Sequence, residues 1–161
     1  MASEQPSPPY PTYAALVGLF GAGMAAVGAV ASRDDRRPER LTALDLAVVS
    51  AATFKAARTV AHDEVLSFLR APFVQGEAHE GDERPVETGD ARQAIGELLT
   101  CSRCIGMWAA AGVVALHTVA PRTGRLLTWS LAASGANDVI QAGFAALTGK
   151  ANELEQRTGG S

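Results

Sequence analysis

The chain has 161 residues, enough for one domain of ordinary size and too few for separate catalytic and regulatory modules. Hydrophobic residues make up 47% and charged residues 19%, and the apolar mass is Ala, Leu, Val and Gly rather than aromatic, a balance that suits close-packed helices better than sheets. A net charge of -3 excludes the clustered Lys and Arg on which phosphate recognition draws, so no nucleic-acid partner is expected. Two cysteines, Cys101 and Cys104, exclude a disulfide-stapled scaffold.

In chain order, residues 1–12 carry four prolines among polar residues and read as a disordered tail. Residues 13–31 hold no charge, and 19 residues at about 1.5 Å each span roughly 28 Å, close to a bilayer's hydrocarbon core. Ala29, Val30 and Ala31 resemble a signal-peptide cleavage site. The preceding residues lack Lys and Arg, however, and Arg33, Arg36, Arg37 and Arg40 follow the run, which is the charge order of an uncleaved anchor. Ala14, Gly18, Ala22 and Ala26 put small side chains on one ridge, where another helix can approach.

After a connector with Pro38, residues 41–61 read as a second helix of spanning length. Asp45 stands near its start, and Lys55, Arg58 and His62 share one face near its end, where basic side chains reach the headgroups. Val65, Leu66, Phe68 and Leu69 suit a membrane surface, and residues 75–90 read as a solvated loop. A short helix restarts at the N-cap Asp90, with Ile95, Leu98 and Leu99 as an apolar stripe. A third span runs from Cys101 to Ala120, a tight connector from Pro121 to Arg125, and a fourth span from Leu126 to Leu147. Ser134, Asn137, Asp138 and Gln141 interrupt the last span on one side and must face protein or water. Residues 148–161 read as a second disordered tail. The expected fold is all-α: an integral membrane bundle of four transmembrane helices, or three if the second lies along the surface.

With these elements laid out, the chain resembles the bacterial membrane-protein family known as domain of unknown function 1360. The resemblance rests on DLAVVSAATFKAARTVAHDEVLSFLRAPF from Asp45 to Phe73, on GELLTCSRCIGMW from Gly96 to Trp108, and on Ser134 to Asp138. It covers residues 41–147 and implies a multi-pass protein of the cell membrane, without implying a reaction. Gly106 and Trp108 belong to its motif. The family usually has proline directly after the first cysteine, where this chain has Ser102, and that proline would bias the cysteine away from helix.

Three chemistries suit Cys101 and Cys104. They are packing as reduced apolar side chains, thiol–disulfide exchange with Arg103 favouring a thiolate, or half of a tetrahedral zinc or iron site. His62, His79 and His117 have no zinc-ligand spacing, so no cofactor is expected and a metal requires ligands shared between chains. His117 lies about 20 Å along a straight helix from Cys104 and reads as a residue of the opposite interface. Trp108 shields the sulfurs or anchors the span. An intramembrane Asp138 needs a partner, and Arg58 or Lys55 supplies one as a structural ion pair. The expectation is a non-enzymatic membrane protein with a structural or interaction role, its partners the bilayer and a second copy or another membrane helix. The alternatives are a membrane thiol-redox or metal-binding protein and, third, a small oligomeric transporter or channel. Basic residues fall on both sides of a four-span bundle and leave its orientation open.

Overall fold

The structure, a computed structural model, describes residues 7–33 and 42–159, so Arg36, Arg37, Arg40 and the first half of the first tail lie outside the described residues. Six α-helices dominate: α1 (Tyr10–Ala31), α2 (Ala43–His62), α3 (Ser67–Arg70), α4 (Ala91–Thr100), α5 (Ser102–Val119) and α6 (Pro121–Gly159). Two short strands, β1 (Val74–Gln75) and β2 (Arg84–Pro85), pair antiparallel between α3 and α4.

Helix α1 opens one turn before the expected Tyr13, because Pro11 falls in the first turn, where a missing N–H costs nothing. Helix α2 is fixed at its start by a reciprocal cap: Thr42 Oγ1 accepts from the Asp45 N–H at 3.2 Å, and the Asp45 carboxylate accepts from the Thr42 N–H at 2.9 Å. Asp45 is thus a capping residue.

Neighbouring helices meet through small residues. Ala52, Ala57 and Ala61 of α2 are buried, as are Ala94 and Ala132, while Leu44, Phe54, Val114, Trp129, Ile140 and Phe144 point outward. Gly106 on α5 sits where an added Cβ would be 3.7 Å from Ala57, and Gly135 on α6 where it would be 3.2 Å from the Ala51 carbonyl oxygen. Side chains this small let the backbones close up. Paired positions set the helix directions. His62 with Ser102 and Ala57 with Gly106 make α2 and α5 antiparallel, Lys55 with Asp138 makes α6 parallel to α2, and Phe20 with Trp108 makes α1 parallel to α5.

The structure corrects four expectations. Two helices, α1 and α5, are long and apolar enough to cross a membrane by length and composition, not four. Helices α2 and α6 exist, but Asp45, Lys55 and Arg58 in the one and Asn137, Asp138 and Gln141 in the other lower their hydropathy. The expected connector 121–125 is already helix, with Ala120 alone between α5 and α6, because Pro121 at a first helical position starts a helix as readily as it ends one. The polar stretch from Lys150 continues α6 to Gly159, supported by ion pairs of Glu153 with Lys150 and Arg157 at helical spacing. Finally, the polar loop is a folded lobe on the β-hairpin.

Arg70 organises that lobe. It is wholly buried, its Nη1 donating to the Val60 and Asp63 carbonyls at 2.8 and 3.1 Å and its Nε to the Glu83 carboxylate at 2.8 Å. The cation therefore satisfies carbonyls at the C-terminal end of α2, where a positive charge also suits the helix dipole, and ties them to the hairpin. Arg92 binds the Pro72 carbonyl through Nη2 at 2.6 Å, and α4 passes so close that a Cβ on Gly96 would lie 2.4 Å from the Phe73 carbonyl oxygen. Gly96→Ala must push α4 off the lobe. The expected loss is about 1–3 kcal/mol, as for overpacking elsewhere, read as a lowered thermal midpoint, whereas Gly18→Ala, facing open space, leaves that midpoint within error. Equal midpoints for the two variants would show that the lobe yields freely.

Candidate functional site

The two cysteines lie where α4 gives way to α5. Cys101 is the N-cap of α5, with extended backbone (φ -98°, ψ 102°), and the Cys104 N–H donates to its sulfur at 3.3 Å. Extended backbone at Cys101 is what a following proline would impose, so Ser102 keeps the geometry without it. Its hydroxyl is free to hydrogen-bond Nε2 of His62 at 2.7 Å, joining the end of α2 to the start of α5. Cys101 is half-buried and Cys104 exposed, both as free thiols.

Hydrogen bonds from the Cys104 thiol and from the backbone N–H groups of Cys104 and Arg103 hold the Cys101 thiol below its ordinary range, against the opposing effect of burial. The cause is that of other cysteines at helix N-termini: unpaired N–H groups stabilise a thiolate. Cys101 and Cys104 stand one helical turn apart, a spacing at which one sulfur can attack and the other resolve the bond it forms.

Cys104 also borders a groove of about 330 Å³ between α1, α4 and α5, together with Tyr13, Phe20, Glu97, Met107 and Trp108. The Tyr13 hydroxyl donates to one oxygen of Glu97, and the Gln93 amide to the other at 2.9 Å. This bond fastens the start of α1 to α4. Trp108 packs edge-on against Phe20 with ring centroids 5.3 Å apart. It therefore links α1 to α5 in the same groove that Cys104 borders.

The remaining polar residues fall into separate places. Lys55 Nζ lies 2.9 Å from Asp138 and 3.5 Å from Asp63, while Arg58 is exposed. Asp138 alone of its stripe turns inward; Ser134, Asn137 and Gln141 are exposed. His117 binds the Thr128 hydroxyl at 2.8 Å, and Thr128 donates in turn to the Gly124 carbonyl at 2.7 Å. A hydroxyl has one proton, so His117 carries its proton on Nε2 and donates it. Among the described residues, no three of His, Cys, Asp and Glu are grouped to hold a metal ion.

The family described as protein of unknown function DUF1360 matches residues 48–144. The chain belongs to this family. Its matched region contains most of α2, all of α3 to α5, the thiol pair and the Lys55–Asp138 bridge, whereas α1, which forms one wall of the groove, lies outside it. The chain is also similar to the sporulation protein YjcA of Bacillus subtilis strain 168, with 28% identity over 107 residues that cover 63% of this chain and 91% of the relative. No solved structure matches it.

Sequence reasoning missed Arg70, the His62–Ser102 bond and the Tyr13–Glu97 bond. Only Arg70 carried a signal, as a cation inside an amphipathic stretch ended by proline. The bridge between α2 and α6 gives a quantitative expectation. Lys55→Met or Asp138→Leu alone leaves a partly buried charge unmatched and costs about 1–2 kcal/mol, discounted for the exposure of Asp138. The double variant recovers at least half of the summed loss in a double-mutant cycle read by thermal unfolding, and strict additivity would mean that the pair does not interact.

Proposed function

We propose that this chain is a multi-pass integral membrane protein with a structural or interaction role. One observation carries the reading: the distribution of side chains is inverted relative to a water-soluble helical domain. The buried positions between the long helices are small residues, Ala52, Ala57, Ala61, Ala132, Gly124, Gly135 and Thr128, whereas large apolar side chains on all four long helices, among them Val17, Phe54, Val114 and Phe144, face outward. Helix association in lipid works in this way, with small residues at contacts and large ones against acyl chains. In this reading α1 and α5 face lipid directly, and α2 and α6 cross beside them with Lys55 and Asp138 neutralising each other inside the bundle. Helix α6, 39 residues and about 58 Å long, extends its charged last turns beyond the bilayer. Likeness to a sporulation protein adds a process in which to seek such a role, and no reaction.

A second reading, thiol–disulfide exchange, is favoured by Cys101 as an N-cap with Cys104 one turn on.

Membranes from cells expressing the chain test the first reading: the protein stays in the pellet after alkaline carbonate washing and moves to the soluble fraction only with detergent. Release by carbonate alone would end it. Acid trapping of intact cells followed by thiol alkylation tests the second, and at least half of the chains are expected to resist alkylation until reductant is added. Complete alkylation without reductant would remove the disulfide reading and leave the first intact.

A further inference from the structure

Thiol chemistry at Cys101 and Cys104 leaves a requirement unmet: closing a dithiol to a disulfide releases two electrons and two protons, and something must accept them. The groove beside Cys104 has the character of a site for that acceptor. Its walls are alkyl and aromatic, with Phe20 and Trp108 set edge-to-face against each other among them. It is open on its outer side, where Val17 and Met107 are 70% and 53% exposed among the apolar side chains that face lipid in the reading above. Its volume of about 330 Å³ is at the lower end of the ~300–1,000 Å³ usual for small-molecule sites. Polarity enters through the bonded Tyr13–Glu97 pair, and a sulfur through Cys104.

An acceptor for this place is planar, apolar, soluble in lipid and able to take two electrons with two protons. We propose that the groove between α1, α4 and α5 receives the head group of a membrane quinone, to which Cys104 delivers the electrons of the Cys101–Cys104 dithiol. This inference rests on the thiol-exchange reading. The Cys104 sulfur adds to a quinone ring carbon, its proton passing to one quinone oxygen. The Cys101 thiolate then attacks the Cys104 sulfur, so that the S–S bond forms as the C–S bond breaks. The electron pair of the broken bond enters the ring, and the proton lost by Cys101 ends on the second oxygen. One dithiol becomes one disulfide, and one quinone becomes one quinol. The division of labour follows the geometry, since Cys104 borders the groove and Cys101 sits behind it on the helix N-terminus.

The test uses the full chain, reduced and freed of reductant, in lipid nanodiscs under anaerobic conditions. Decylubiquinone, a short-tailed benzoquinone, is the probe. Quinone loss is followed by absorbance and thiol loss by the mass shift of maleimide-labelled protein. The expected result is one quinone reduced per disulfide formed, with no disulfide in Cys101→Ser or Cys104→Ser. Leu16→Trp, which fills the groove from the α1 side, slows oxidation by decylubiquinone at least tenfold and leaves oxidation by the water-soluble oxidant diamide at the rate of the unaltered chain. Val17→Phe, a smaller filler of the same groove, repeats the comparison should Leu16→Trp not fold. Disulfide formed with diamide but not with decylubiquinone would overturn the quinone inference and leave thiol exchange standing. Failure of diamide as well would remove both. Equal decylubiquinone rates with and without a groove filler would place the reaction outside the groove and overturn the assignment.

Discussion

Close backbone approach along α2 is the constraint on which the other helices depend. Ala52, Ala57 and Ala61 present little more than a methyl group each, and Gly106 and Gly135 answer them from α5 and α6. Contacts of this kind gain from dispersion over a long interface and give little hydrophobic reward per residue, which suits a helix whose surroundings are already apolar. The same closeness puts Lys55 within reach of Asp138 and leaves neither charge unmatched.

From α2 the arrangement propagates toward the thiols. Arg70 takes up carbonyls at the end of α2 and holds Glu83 on the hairpin, and Gly96 lets α4 run against Phe73. Helix α4 is thereby aimed so that its C-terminal residue hands over directly to Cys101, the cap of α5. A buried cation some thirty residues upstream in sequence therefore helps to set where the sulfurs lie. Helix α1 attaches more lightly, through Tyr13 on Glu97 and Phe20 on Trp108, and forms one wall of the groove that Cys104 borders.

Much of this was legible in the sequence where the signal was local. An apolar run without charge located α1, one with Arg103 at its edge located α5, Asp90 announced the start of α4, and the motif around Cys101 and Cys104 pointed to the family. Where local signals admit two outcomes, the expectation failed. Pro121 ended one helix and began the next, and the charged residues after Lys150 suited either a free tail or a helix with internal ion pairs. Counting apolar residues gave four spans, whereas the charges of α2 and α6 leave two that satisfy length and composition alone. The polar stripe of α6 was visible by its spacing, but not that Asp138 would turn inward while Ser134, Asn137 and Gln141 stay outside.

By itself, the sequence determined that the chain is helical and apolar, where its least polar helices fall, and that its two thiols are one helical turn apart, because each of these depends on residues near one another in the chain. Tertiary structure alone decided that Lys55 meets Asp138, that Arg70 is buried, that His62 reaches Ser102, and that Cys104 borders a groove walled by a helix some eighty residues earlier. Those pairings depend on which helix faces come together, and that choice is made by small-residue packing and charge matching summed over several interfaces, information that no single stretch of the sequence contains.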